Sequence, residues 1–251
     1  MNRFDIFLNT FLDKYLGFLV DGTLDEIVIC DETGEDYDKI CATYGKWTQG
    51  ENPQLRVVKN DQVLGVFLNK LKVCSLARNR HIALIDSDNF TNKKYFQEAK
   101  KYILDNLLVD KKYFVIYPSF ATPLLHKGSK AKPCLDFRGY SSMAPFTRET
   151  VKPVFAKYPM FQVFLNGGNF ILTKDVAENI MVDENTTPYI SSCDVIYFIL
   201  LSFQELPGFE LHIAHDMEYL HSIHKDSEYL KKNHIGTPVL NEKIIPEFYL
   251  L

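Results

Sequence analysis

The sequence lacks the patterns typical of disulfide-rich, zinc-binding and membrane-spanning proteins. Its cysteines are few and widely spaced, and they form no Cys-x-x-Cys pair: Cys30, Cys41, Cys74, Cys134 and Cys193. An odd number at such spacings argues against a disulfide framework or a zinc ribbon and favours a reducing compartment. Residues 1–22 carry too many charges for a signal peptide, and no apolar run approaches the ~20 residues of a membrane span. We therefore expect a cytoplasmic protein without a transmembrane segment.

The sequence also lacks an excess of positive charge. Lys and Arg together number 28 against 32 Asp and Glu, which gives a formal net charge of -4. A nucleic-acid backbone or an anionic bilayer is held largely by a basic field, so this balance argues against both as partners. No internal repeat and no linker rich in Pro, Ser or Gly divides the chain. We expect one domain over residues 1–251.

Strand and helix patterns alternate along the first half of the chain. Short β-branched apolar runs predict strands, and apolar residues at helical spacing predict helices. Such alternation indicates an α/β fold with a mostly parallel central sheet flanked by helices. The many prolines between positions 118 and 159 predict a long functional loop region, and the C-terminal third reads as less regular. The predicted strands span 25–30, 55–60, 81–85, 113–117, 170–172 and 209–213, and the predicted helices span 4–19, 63–76, 93–108 and 193–205.

Asp86, Ser87 and Asp88 directly follow the predicted strand 81–85. They are therefore expected at the carboxyl edge of a parallel sheet, where open α/β proteins bind ligands. Alternate residues of an extended segment point the same way, and two neighbouring carboxylates repel each other unless a cation lies between them. Hard oxygen ligands suit Mg²⁺ or Mn²⁺. The alternative is a polar turn in which Asp88 caps the following helix.

Residues 25–36 form an apolar strand followed by acidic residues, similar to the strand followed by Asp-Asp-Gly-Ser-Thr-Asp in family 2-type glycosyltransferases. Together with Asp-Ser-Asp and the segments below, this makes the chain resemble that family over nearly its whole length. Glu32 stands in place of the second Asp, and Thr33-Gly34 in place of Gly-Ser. The resemblance implies a single, Rossmann-like domain of the GT-A fold. Residues 1–117 would bind the nucleotide-sugar, and residues 118–251 would bind the acceptor and carry the catalysis.

The resemblance also implies roles for individual residues of the first half. Asp31 would recognise the nucleotide base. The segment from Gly65 to Asn69 corresponds to the Gly-x-x-x-Ala-Arg-Asn segment of the family and makes Asn69 a nucleotide-sugar ligand, with Leu68 in place of the Arg. Asp86, Ser87 and Asp88 would contact the nucleotide-sugar, and the two carboxylates would hold the metal ion.

In the second half, Gly167 and Gly168 lie within Asn-Gly-Gly-Asn and resemble a segment whose backbone passes close to the bound sugars. Two glycines allow such an approach, although a hairpin turn would use them equally. Asp194 lies where the family has Glu-Asp, whose Asp deprotonates the acceptor hydroxyl; Cys193 replaces the Glu. Asp194 is thus the expected base, with Asp216 as its rival. A carboxylate at a helix start is also simply favourable.

His221 and His224 belong to a segment similar to the family's His-x-x-His-x-x-Ser, which follows the last strand. By resemblance, a His there completes the metal site or contacts the diphosphate. Imidazole suits Mn²⁺ better than Mg²⁺, so a His ligand would favour manganese. The alternative is that both are exposed histidines on a terminal helix.

The resemblance as a whole implies a metal-dependent, inverting glycosyltransferase, either a hexosyl- or a pentosyltransferase. It would move a sugar from a nucleotide donor, with UDP favoured, to a hydroxyl of a glycan or other acceptor. One alternative is a non-catalytic sugar-binding relative, which the departures at Leu68 and Cys193 favour. The other is a sugar-phosphate nucleotidyltransferase, but residues 21–23 do not form the Gly-rich phosphate loop with a Lys that such an enzyme needs.

Overall fold

Two β-sheets and the helices around them make up the computed structural model of the protein. The structure describes residues 3–125, 135–158, 161, 164–165, 167–182, 193–223, 242 and 245–250. The strands are β1 (Ile27–Asp31), β2 (Leu55–Lys59), β3 (His81–Leu84), β4 (Phe114–Leu125), β5 (Leu135–Asp136), β6 (Phe170–Thr173) and β7 (Glu210–Ile223). The helices are α1 (Asn9–Val20), α2 (Tyr37–Thr43), α3 (Gly45–Thr48), α4 (Val66–Leu76), α5 (Lys93–Asp105), α6 (Arg138–Ser141), α7 (Arg148–Lys157), α8 (Lys174–Asn179), α9 (Asp194–Glu205) and α10 (Ile245–Leu250), and a π-helical turn (Phe4–Leu8) precedes α1.

The smaller sheet consists of β1 and β2, which pair in parallel from Ile27 opposite Leu55 to Asp31 opposite Lys59. The apolar face of α1 packs against this sheet through Leu12, Leu16 and Leu19. These side chains belong to a buried cluster that includes Leu55 of β2. Spacing of three or four residues places these side chains on one face of the helix. The packing holds β1 and β2 against α1.

The larger sheet has the order β3-β6-β4-β5, and β7 pairs with β4. The ladder between β4 and β7 is parallel and runs from Phe114 to Leu125. β6 is antiparallel to both β3 and β4, and β5 is antiparallel to β4. The expected parallel arrangement therefore holds for β1–β2 and β4–β7, but the central sheet is mixed. Local alternation of strands and helices does not determine the direction of β6, which enters the sheet between two earlier strands.

β4 continues through Pro118 and Pro123, where the sequence predicted a loop. On one side, the pairing of β4 among the described residues is at Val115–Ile116 with β6 and at Phe120–Ala121 with β5. Both prolines lie within the ladder with β7, Pro118 opposite Ala214 and Pro123 opposite His221, and the register of that ladder shifts between Pro118 and Phe120. The prolines therefore mark an irregular strand rather than the end of a strand.

The C-terminal third is more regular than predicted within its described residues. α9 begins one residue after the predicted start at position 193 and is buried from Asp194 to Phe203. A helix that is apolar on all sides belongs in the core. β7 is much longer than the predicted strand 209–213, so Asp216 and His221 lie within it. In the part of the chain that the structure describes, no helix is long and apolar enough to cross a membrane.

Candidate functional site

Asp31 ends β1 and caps the helix that follows. Its Oδ2 accepts hydrogen bonds from the backbone N–H groups of Asp36 (2.9 Å) and Tyr37 (2.8 Å), at the start of α2. One carboxylate oxygen of Asp31 is therefore committed to the backbone. The predicted contact with a nucleotide base falls to the other oxygen and stays a prediction.

Asn69 ties α4 to the ends of β1 and β2. Its Oδ1 accepts a hydrogen bond from Asn60 Nδ2 (2.9 Å), and its Nδ2 donates to the carbonyl of Cys30 (3.3 Å). Both ends of the amide thus contact the protein. Asn69 fixes the position of α4 beside Asp31, and its predicted contact with a nucleotide-sugar stays a prediction.

Asp86, Ser87 and Asp88 form a turn rather than the extended segment that the sequence suggested. The backbone N–H of Asn89 donates to the carbonyl of Asp86 (2.9 Å), which closes the turn. The two carboxylates consequently have different partners, and Ser87 is exposed. Asp88 does not cap α5, because Asn92 Oδ1 accepts from the backbone N–H of Tyr95 (3.0 Å) and does so instead.

Lys70, on α4, joins two of the predicted site residues. Its Nζ lies 3.1 Å from Asp86 Oδ1 and 2.8 Å from Asp194 Oδ2. Asp194 is 7% exposed and stands at the start of α9. Burial opposes the charge on Lys70, but the carboxylates of Asp194 and Asp86 outweigh it and raise the pKa of Lys70 above its ordinary value. The ammonium therefore stays charged and links α4, α9 and the turn after β3.

The same environment favours the charged form of Lys70 but disfavours the charged form of Asp86. Burial, together with repulsion from Asp88 and Asp194, raises the pKa of Asp86, although Lys70 favours its ionised form. Two like charges near a carboxylate disfavour its ionisation. The ionised form of Asp86 therefore depends on Lys70.

Gly168 packs directly against the carboxylate of Asp86. A Cβ atom built on Gly168 would lie 1.8 Å from Asp86 Oδ2, so no other residue fits there without displacing Asp86. Asn169, 1% exposed, accepts a hydrogen bond at Oδ1 from the backbone N–H of Asp86 (3.0 Å). Gly167 has more room, since its Cβ would lie 3.2 Å from the carbonyl of Phe164. The predicted close approach therefore involves Asp86, and contact of either glycine with a sugar stays a prediction.

Tyr219 and His221 approach this cluster from β7. The Tyr219 hydroxyl lies 3.4 Å from His221 Nδ1. Burial, and then the charges of Asp86 and Asp88, raise the pKa of Tyr219. His221 lies inside β7, the last strand among the described residues, and not after it as the resemblance implied. His224 lies outside the described residues.

Asp216, the rival base, is not brought to this cluster. Its side chain is 63% exposed on β7, and its Oδ1 lies 3.2 Å from His215 Nδ1. The structure thus places Asp194, and not Asp216, with Asp86 and Gly168.

Arg3 brings a second cation to the site. It precedes the π-helical turn, and its Nη1 lies 2.9 Å from Asp88 Oδ2. Sequence analysis missed Arg3, Lys70 and Tyr219. The signal for Lys70 was present, because counting Gly-x-x-x-Ala-Arg-Asn from Gly65 places the motif's Arg at position 70 and its Asn at Leu71, not at Leu68 and Asn69. Nothing in the sequence connects Arg3 with Asp88, which lies 85 positions away.

Known structures resemble this fold at low sequence identity. The crystal structure of S. aureus TarS 1-349 matches with a TM-score of 0.55 and 15% identity, over 96% of this chain and 68% of that chain. The same protein in complex with UDP gives a TM-score of 0.56 and 13% identity, over 99% of this chain and 72% of that chain. The crystal structure of a mycobacterial protein gives a TM-score of 0.51 and 14% identity, over 96% of this chain and 69% of that chain. Neither a protein-family model nor a curated protein sequence matches the chain.

These likenesses confirm the fold class that the sequence resemblance implied. This chain shares the α/β architecture of TarS over nearly its whole length. Identities of 13–15% establish the common fold alone. The activity of this chain is therefore a matter for its own site residues.

We expect the Gly168→Ala variant to lose stability. The added methyl group would overlap the Asp86 carboxylate, and overpacking of this kind costs about 1–3 kcal/mol. Urea unfolding would measure the loss. Gly139→Ala is the matched control, because a Cβ on Gly139 has no neighbour within 4 Å. Equal stability of the two variants would contradict the close packing of Gly168 on Asp86.

Proposed function

We propose that this protein is a glycosyltransferase that uses a nucleotide-sugar donor, with UDP as the favoured nucleotide. The acceptor group would be a hydroxyl of a glycan or another molecule. One observation carries the proposal: Asp86 and Asp194, from separate segments, meet at the Lys70 ammonium, and Gly168 from a third segment packs against Asp86. A transferase of this kind needs a donor site and a base for the attacking hydroxyl side by side.

The proposed donor site extends from the end of β1 to the turn after β3. α4 connects its two ends, because Asn69 contacts Cys30 at the end of β1 while the next residue, Lys70, contacts Asp86. The carboxylate oxygen of Asp31 that the α2 backbone does not use is available to accept from an N–H of uracil. The TarS complex with UDP, which has the same fold, supports UDP as the nucleotide.

Asp194 is the proposed base. Its carboxylate would take the proton of the acceptor hydroxyl while the hydroxyl oxygen attacks the anomeric carbon. The bond from that carbon to the diphosphate breaks in the same step, and the nucleoside diphosphate leaves with the bonding electron pair. A single displacement of this kind inverts the anomeric configuration. The ion pair with Lys70 fixes the orientation of the Asp194 carboxylate.

The described carboxylates do not fit the Mn²⁺ or Mg²⁺ that the sequence predicted. Asp86 and Asp88 each have a protein cation within 3.1 Å, supplied by Lys70 and Arg3 respectively. Among the residues that the structure describes, no group of three or more His, Cys, Asp or Glu side chains could hold a metal ion. Mg²⁺ is commonly held by one or two carboxylates together with water and substrate phosphates, so the protein cation beside each carboxylate is the observation that argues against the ion here. We therefore assign no step of the reaction to a metal.

A panel of UDP-, GDP- and dTDP-sugars tests this proposal. We expect UDP-sugars to raise the melting temperature and to be turned over to UDP, since bound ligand stabilises the folded state. A rise in melting temperature without release of UDP, in the presence of glycan acceptors, would indicate the non-catalytic relative. No rise with any donor would contradict the proposed function altogether.

We expect Asp194→Asn to lower turnover by about 10²–10⁴-fold, the usual contribution of a general base, with little change in UDP affinity. Asn keeps the size of the side chain, and the melting temperature checks that the fold is retained. Asp216→Asn is the matched control and should have a mild effect. An inactive Asp216→Asn beside an active Asp194→Asn would reverse the assignment of the base, and a product that retains the anomeric configuration would contradict the single displacement.

A further inference from the structure

Arg3 is anchored between the two acidic ends of the proposed donor site. Its backbone N–H donates to Asp36 Oδ2 (2.8 Å), and the N–H of Phe4 donates to the same oxygen (3.1 Å). Asp36 is itself buried and hydrogen-bonded to Asp31. The segment that starts at Arg3 therefore begins beside the end of β1.

The Arg3 side chain reaches from there to the turn after β3. Its Nη1 lies 2.9 Å from Asp88 Oδ2, and its guanidinium carbon lies 5.6 Å from the centre of the Phe7 ring. The ion pair between Lys39 and Asp5 (2.6 Å) adds a second tie between this segment and α2. These contacts hold a guanidinium at Asp88, one of the two carboxylates where the sequence predicted a divalent cation.

The two cations of the site differ in how much charge they can offer a ligand. The Lys70 ammonium lies between two carboxylates, those of Asp86 and Asp194. The Arg3 guanidinium faces one carboxylate, that of Asp88, and its side chain remains 27% exposed. A guanidinium has five N–H donors in a rigid fork that matches phosphate oxygens, so one hydrogen bond to Asp88 leaves donors for an anion.

We propose that Arg3 binds the diphosphate of the donor and stands at Asp88 in place of a divalent cation. This inference rests on the proposed function and makes nucleotide binding independent of metal. Asp88 then orients Arg3 as its counter-ion. Without Arg3, the carboxylates of Asp86, Asp88 and Asp194 would face an anionic ligand with Lys70 alone among the cations described at this site.

Calorimetric titration of the protein with UDP, GDP, ADP and dTDP, with excess chelator or with Mn²⁺, tests this inference. We expect the wild type to bind a nucleoside diphosphate equally well in both conditions. Arg3→Gln should weaken that binding at least about tenfold in chelator, the loss expected for one hydrogen bond between charged groups. Lys14→Gln is the matched control, because Lys14 contacts the Phe90 ring and not Asp88. It should bind like the wild type.

Arg3→Lys keeps the positive charge but loses the forked N–H donors of the guanidinium. We therefore expect its affinity for the nucleoside diphosphate to lie between those of the wild type and Arg3→Gln. If Arg3→Gln fails to fold, Arg3→Lys decides, and wild-type affinity for it would overturn the inference. The inference also fails if the wild type binds only with Mn²⁺ and Arg3→Gln binds Mn²⁺ and nucleotide more tightly, because Arg3 would then compete with the metal for Asp88. If no nucleoside diphosphate binds in either condition, the proposed function fails, and the inference fails with it.

Discussion

The charge of Lys70 is the constraint on which the rest of the site depends. An ammonium held in a largely buried position is costly unless carboxylates compensate it, and Asp86 and Asp194 do so at 3.1 and 2.8 Å. These three residues come from α4, from the turn after β3 and from the start of α9. Because the Lys70 ammonium contacts both carboxylates, these two ion pairs fix the three elements relative to one another. Gly168 then has to lack a side chain, because the Asp86 carboxylate occupies the space beside it.

The proposed chemistry also depends on how carboxylates and cations pair at this site. Each carboxylate of the Asp-Ser-Asp turn has its own protein cation, and the two cations lie on separate elements. Lys70 is enclosed between two carboxylates and serves to orient them. Arg3 is more exposed and can face a ligand. Lys70 therefore positions the proposed base, and Arg3 is the proposed ligand of the diphosphate.

Local patterns in the sequence predicted the parts of this site that depend on neighbouring residues. Apolar strands that end in acidic residues correctly located Asp31 and Asp86 at strand ends, and the start of α9 was predicted to within one residue. Local patterns did not predict contacts between residues that are distant in the sequence. The antiparallel direction of β6 depends on which strands it enters between, and the pairing of Arg3 with Asp88 joins positions 85 apart. Strand β4 was missed beyond Tyr117 because Pro118 and Pro123, which suggested a loop, lie within its ladder with β7.

The most direct test of this account is a mutant cycle between Lys70 and its two carboxylates, measured by urea unfolding. Lys70→Met leaves Asp86 and Asp194 uncompensated, and removal of one partner from a buried ion pair costs about 3 kcal/mol at the lower end of the usual range. In an Asp86→Asn, Asp194→Asn background the same substitution should cost less than about 1 kcal/mol, because no carboxylate is left without a partner. An equal loss of stability in both backgrounds would contradict the claim that the Lys70 ammonium assembles the site.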